Sequence, residues 1–254
     1  MQRDESRNVG VKVPDLGIED ALFGIDGWLH LDEAAELARC VLAAPSDAPL
    51  GIVEIGSWKG RSTVALALAA QSRGDAAVVA IDPHLGDNGE WMAESPTYEE
   101  FLRNVRNAGV ESVVLPIRRL AHHARSEVTD GSVGVLFVDG SHRYEDVRQD
   151  IEDWTSSLVD GAIIAFNDSS KPGVYRAICE QILDNDQRFR AHRLVRSTVF
   201  FRLSSNPMSS HERTRLRHLR WTLRARRFVH PVVAWLPAPL KTAGNRISAR
   251  TGAG

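Results

Sequence analysis

Short β-branched runs alternate with amphipathic stretches through most of this chain, and that alternation limits its fold more than any other feature. Candidate strands fall at 51–55, 77–81, 112–116, 133–138 and 162–166; two more, at 193–195 and 199–203, are close enough for a hairpin. Helical spacing of apolar residues occupies 29–42, 61–70, 98–108, 144–158 and 174–184. Tyr144, Val147, Ile151, Trp154 and Leu158 form the clearest stripe. This order predicts an α/β protein with a parallel sheet wound on both faces. Ligands of such sheets sit at the C-terminal ends of the strands, so the residues just after each strand are the functional candidates.

After the first strand the chain reads Glu54-Ile55-Gly56-Ser57-Trp58-Lys59-Gly60-Arg61-Ser62. Gly56 and Gly60 permit a tight turn and close ligand approach, and the next helix offers free N–H groups. A pyrophosphate is disfavoured, because Ser57 and Trp58 stand where a dinucleotide fingerprint needs its second glycine. Glu54, beside the turn, favours a smaller ligand carrying an amine. Ser57 and Ser62 complete this candidate set. Asp82 follows the second strand, about 25 residues past the glycines, where an acidic residue accepts ribose hydroxyls. Arg118 follows the third strand and is either a cover for a ring or a solvated charge. Asp139 follows the fourth strand, and Asn167 and Asp168 follow the fifth. Three oxygen donors at neighbouring strand ends suit a hard cation such as Mg²⁺. Each of these residues also has a plain use in turns and caps.

No apolar run reaches the roughly 18 residues of a membrane span, and no secretory leader is visible, so a cytoplasmic protein is expected. Cys40 and Cys179 are expected to be buried free thiols. Charge is unevenly placed. Residues 205–254 hold nine Arg and one Lys against Glu212, a net +9, while residues 1–204 carry −11. Three parts are therefore expected: an N-terminal segment 1–27 that packs loosely or covers a cleft, a domain 28–204 and a basic extension 205–254.

The segments E-I-G-x-x-x-G at 54–60, I-D-P at 81–83, V-D-G-S-H-x-Y at 138–144 and F-N-D at 166–168 together resemble the class I S-adenosylmethionine-dependent methyltransferases. Within them, the stretch from Val138 is similar to the metal-dependent sugar O-methyltransferase branch. The resemblance implies a Rossmann-like doubly wound, mostly parallel seven-stranded sheet with an antiparallel last strand, preceded by an N-terminal helix. It implies Glu54, Gly56, Ser57, Gly60, Ser62, Asp82 and Arg118 around S-adenosyl-L-methionine. Asp139, Asn167 and Asp168 would hold Mg²⁺, and His142 would be the catalytic base. The acceptor it implies is a sugar or oligosaccharide hydroxyl; length and Ala/Arg-rich composition also resemble enzymes acting on mannosides of bacterial polysaccharides. Asn167-Asp168 departs from the Asp-Asp or Asp-Asn order frequent in such relatives, although an Asn carbonyl still binds a cation.

Two rival readings share these residues: a hydroxylase-like relative on the same fold, and a non-enzymatic membrane- or partner-binding protein on a methyltransferase scaffold. The polar insertion 84–97 is either a lid or a surface loop. His122 and His123, adjacent on a helix, are expected to point apart. In the tail, Leu216, Leu219 and Leu223 share a helical stripe among arginines. Such a helix can lie on an anionic membrane surface, or dock on the acidic body of a second copy, giving a homo-oligomer (a dimer), the reading preferred here. No motif supports nucleic acid as a partner.

Overall fold

The computed structural model describes residues 14–85, 97–184 and 187–234, with side chains described through Arg227. Most of the 84–97 insertion and the end of the tail lie outside the described residues. Seven strands form one sheet: β1 (Gly51–Ile55), β2 (Ala77–Ile81), β3 (Val114–Ile117), β4 (Val133–Val138), β5 (Leu158–Phe166), β6 (Phe189–Val195) and β7 (Thr198–Leu203). Their order is β3-β2-β1-β4-β5-β7-β6. The first five are parallel, and β7 runs antiparallel to both β5 and β6. The antiparallel strand is thus the last in sequence, yet β6 forms the edge beyond it.

The pattern of alternation explains both layers. Every residue of β1 and β4 is buried, as expected of strands covered on both faces. Side chains of successive residues enter opposite cores. Ile52, Val135 and Phe137 pack with α2 (Leu31–Leu42), α3 (Arg61–Arg73) and α4 (Tyr98–Asn107). Val53, Ile55, Leu136 and Val138 pack with α6 (Tyr144–Trp154) and α7 (Pro172–Ile178). A short helix α5 (Ala121–Ala124) precedes β4. From β1 the chain moves outward to β3 and then returns to β4 beside β1. The strand order therefore reverses between β1 and β4, the switch point at whose C-terminal ends ligands of such sheets bind.

Several boundaries differ from expectation for local reasons. Leu158 continues the α6 stripe in sequence but opens β5, because a 3₁₀ turn at Thr155–Ser157 ends the helix first. Helix α7 gives way to a π turn at Cys179–Leu183. Strand β6 begins four residues before the expected 193, and its register breaks between Ala191 and Arg193, which hides the alternation. Both cysteines are buried free thiols. The N-terminal segment, where described, does not pack loosely. Leu22 of α1 (Ile18–Leu22) and Ile25 are buried. The Arg61 guanidinium donates to the carbonyls of Leu22, Ile25 and Leu29 at 2.8, 2.7 and 2.9 Å, pinning this segment to the start of α3.

The basic tail helix α8 (Ser210–Ala234) turns its leucine stripe onto the core of its own chain, a surface the sequence reading did not name. Leu219 and Leu223 join the core below α6 and α7. Arg220 pairs with Asp184, and Arg190 with Glu212. The flank of β6 and the π turn supply apolar area that the stripe covers. No described helix is long and apolar enough to cross a membrane.

Candidate active site

The turn after β1 is a backbone construction. Gly56 has φ +88°, and its N–H donates to the Ile81 carbonyl at 2.8 Å. A β-carbon built on Gly56 would overlap the Asp139 carbonyl and Gly140, so only glycine lets the β1 and β4 ends meet. Gly60, φ +87°, sits at the N-cap of α3 and donates to the Ser57 carbonyl at 2.7 Å. Ser62 and Thr63 open the helix, and both hydrogen-bond the Glu54 carboxylate. Glu54 is fully buried, and burial pushes its carboxyl up to about 7 against those two hydroxyls. Glu54 Oε1 and Ser57 Oγ are buried without a hydrogen-bond partner among the described residues. Native interiors rarely leave such atoms unpaired, so each calls for a ligand or a water.

Asp82 joins this turn to the end of β2. Its Oδ2 accepts the Trp58 N–H at 2.8 Å, and its Oδ1 accepts the His84 N–H at 2.6 Å. A carboxylate has about four acceptor positions, so lone pairs remain on the side chain's exposed edge. His84, assigned only to a polar insertion by its sequence, is instead 1% exposed and has φ +54°. Its Nδ1 lies 2.9 Å from Thr97 Oγ1, and its ring packs against Tyr98 and Phe101 of α4. The one available sign was its place two residues after Asp82, where its own N–H reaches back to that carboxylate. Arg118 is exposed, with its guanidinium 4.4 Å above the Tyr98 ring, near His84.

Asp139, Asn167, Asp168 and His142 meet at the ends of β4 and β5. The Asp139 N–H donates to Ile55 O at 2.8 Å and the Asn167 N–H to Val138 O at 3.0 Å, carrying both residues just past the sheet. Asn167 Nδ2 lies 2.9 Å from Asp139 Oδ1. Burial pushes the Asp139 carboxyl up to about 8; the nearby Asp168 and Glu54 charges add to the shift, and Asn167 opposes it. Asp168, in a left-handed conformation with φ +49°, places Oδ2 3.1 Å from His142 Nε2. That pairing raises the His142 pKa above its ordinary 6.5, so the imidazole is more basic than a free one. His142 does not cap α6. Ser141 instead accepts the Arg143 N–H at 3.1 Å and donates to Asp146 at 2.7 Å.

Glu54, Asp82, Asp139 and Asp168 thus crowd one end of the sheet, and two of them have raised pKa values. A positive group entering there relieves both burial and mutual repulsion. This fits a divalent cation on Asp139 and Asn167, and a cationic ligand above Glu54. A second ligand-like group is less suited to a cation. Glu36, Cys40 and His192 bring ligand atoms within 4.8 Å of one another. However, Arg39 and Arg193 already hold Glu36 at 2.7 Å each, burial pushes the Cys40 thiol up to about 12, and burial with Arg202 takes His192 down to about 4. The His122 and His123 rings, expected to point apart, have centroids 3.9 Å apart, because α5 is only one turn long and does not hold them on separate faces.

Residues 53–169, which include the glycine turn, Asp82 and every candidate cation ligand, match a family described as a methyltransferase domain. A protein of Sinorhizobium fredii known as y4gI, itself uncharacterized, is 30% identical over 133 residues, or 48% of this chain. The chain spans only 13% of that relative's length. The fold is shared with solved structures. A protein from Corynebacterium glutamicum superposes with a TM-score of 0.58 at 13% identity, covering 78% of this chain and 91% of its own. The O-methyltransferase TomG from Streptomyces achromogenes, solved with S-adenosylmethionine, gives a TM-score of 0.54 at 16% identity, covering 78% and 93%.

Proposed function

We propose that the chain is an O-methyltransferase that moves a methyl group from S-adenosylmethionine to a hydroxyl of a sugar or oligosaccharide, with Mg²⁺ assisting. The observation that carries this reading is the contact between the Gly56 turn and the Asp139 backbone, inside the matched methyltransferase domain. A donor held on that turn would lie next to the strand ends that carry Asp139, Asn167, Asp168 and His142. S-adenosylmethionine, when bound, supplies an electrophilic methyl on a sulfonium, and Mg²⁺ supplies charge that lowers the pKa of a nearby hydroxyl.

The chain's own residues do the rest. The remaining Asp82 lone pairs accept the two ribose hydroxyls. Gly56 and Gly60 let the donor approach the backbone, and Glu54, Ser57 and Ser62 face its amino-acid portion. Arg118 covers the adenine side. Asp139, Asn167 and Asp168 would hold the cation. His142 Nε2, held by Asp168 Oδ2 at 3.1 Å, would take the acceptor proton. A positioned base of this kind contributes about 10²–10⁴-fold. The mannosides of bacterial polysaccharides are one acceptor class within this reading. Association of two copies, or contact with an anionic membrane surface, would use the arginine face of α8, because the leucine face is taken. The test is a methyl-transfer screen over mono- and oligosaccharides with Mg²⁺. A product heavier by one methylene unit supports the reading; one heavier by an oxygen atom supports the hydroxylase-like alternative. A chain that does not bind S-adenosylmethionine would leave only the scaffold reading.

A further inference from the structure

Asn167 is an asymmetric ligand. Its side-chain amide offers an oxygen to one side and an NH₂ to the other, and only the oxygen suits a hard cation. The NH₂ faces Asp139 Oδ1 at 2.9 Å, while Oδ1 faces the hydroxyls of Ser197 and Thr198 at 3.1 and 2.9 Å. The two ends of an amide are distinguished by the groups around them. Here those groups are two hydroxyls, each with a single proton to give.

Both hydroxyls have a second acceptor. Glu33, at the start of α2, is fully buried, and its Oε1 lies 2.7 Å from Ser197 Oγ and 2.8 Å from Thr198 Oγ1. The same oxygen accepts the N–H groups of Ser197 and Thr198 at 3.0 and 3.1 Å, and Oε2 accepts the His30 N–H at 3.1 Å. The arrangement is rigidly braced. Ser169 donates through its N–H and its hydroxyl to the Ser197 carbonyl at 2.9 and 2.6 Å, and Arg196 grips both oxygens of Asp32 at 2.6 Å. The β6–β7 turn is therefore fastened both to α2 and to the Asn167–Ser169 loop.

Two proton arrangements satisfy this network. In one, a hydroxyl donates to Asn167 Oδ1, and the NH₂ caps Asp139. In the other, both hydroxyls donate to Glu33, which as a charged acceptor makes the stronger bond. Their lone pairs then face Asn167 and require its NH₂, so the carbonyl oxygen turns to Asp139. Two oxygens at that separation need a proton or a cation between them. We infer that Glu33, Ser197 and Thr198 form a positioning relay that sets which end of the Asn167 amide faces Asp139. Hydroxyl donation to Glu33 presents the oxygen to a divalent cation. The inference rests on Asp139 and Asn167 being cation ligands, as proposed above.

Calorimetric titration of Mg²⁺ and Mn²⁺ into the full chain, with S-adenosylmethionine present, tests the relay. Ser197→Ala with Thr198→Val removes both hydroxyls and keeps the backbone N–H groups. Without the hydroxyls nothing sets which end of the amide faces Asp139, and cation affinity should fall roughly tenfold, about 1.4 kcal/mol. In an Asn167→Asp background the same pair should change affinity less than about twofold, because a carboxylate presents an oxygen whichever way it turns. Thr198→Val alone, a near-isosteric change in a strand, should give a smaller loss with the same dependence on Asn167 and serves if the pair does not fold. Equal losses in both backgrounds, or no loss beside Asn167, overturn the relay while leaving the cation site standing. A wild-type chain that takes up neither ion overturns both.

Discussion

The loop at 56–60 and the loop at 139–142 touch through backbone, yet they are made differently. The first is shaped by two glycines in left-handed conformations and by the Trp58 N–H, which reaches Asp82. The second is shaped by side chains held from elsewhere: His142 by Asp168, and Asn167 by Ser197 and Thr198, which Glu33 holds in turn. A backbone-built site is rigid and local in sequence. A side-chain site borrows its order from distant elements, so it can be altered without disturbing its neighbour. In the proposed reaction the first loop binds the donor and the second prepares the acceptor, and this contrast predicts that variants will separate the two.

Gly56→Ala is the change expected to defeat that separation. Its β-carbon would overlap the Asp139 carbonyl, and its φ is unfavourable for alanine. Backbone strain and overpacking each cost about 1–3 kcal/mol, so stability should fall by roughly 2–6 kcal/mol, with loss of donor binding. Urea unfolding followed by titration of S-adenosylmethionine would check both. Unchanged stability would show that the two loops are not in this contact.

His142→Ala should affect only the second loop. We expect kcat to drop by roughly 10²-fold or more with donor affinity nearly unchanged. Steady-state kinetics beside donor titration measures the split, and a variant that keeps most of its kcat moves the base elsewhere. Asp82→Ala is the complementary, smaller change. Hydrogen bonds to a charged group contribute about 1.5–3 kcal/mol each, so donor affinity should weaken at least roughly tenfold while cation affinity stays level. A variant with wild-type donor affinity removes Asp82 from the ribose.

Much of the first loop was legible because its signals are local: two glycines, an acidic residue after the next strand and a helix that starts on time. The parallel sheet covered on both faces followed from alternation for the same reason, whereas the order of its strands did not. The second loop was legible only as a set of residue types. Glu33 looks like an ordinary acidic residue in the first turn of a helix, and Ser197 and Thr198 like hairpin residues; more than 160 positions separate them. Their meeting depends on how α2 lies against the β6–β7 turn, which no periodicity encodes. His84 was missed because its burial comes from Tyr98 and Phe101 across an insertion. The tail stripe was visible, but its partner was not, because an amphipathic helix does not state whose surface it covers.

A further, smaller effect concerns pH. Asp168 raises the His142 pKa above 6.5. A base works only when deprotonated, so the acidic limb of kcat/KM should lie above that of a free imidazole, with activity gained as pH rises through it. A cation that draws Asp168 away should lower the limb. A limb at or below the ordinary histidine value without added cation would show that the pairing does not persist in solution.

The most direct measurement of the whole account is transfer of a labelled methyl from S-adenosylmethionine to a panel of mono- and oligosaccharides, run with Mg²⁺, with a chelator, and with Mg²⁺ restored. The account predicts a product gaining one methylene unit, loss of transfer under the chelator and recovery on restoring the ion. Full transfer after thorough chelation, or donor binding with no methylation of any hydroxyl offered, would contradict it.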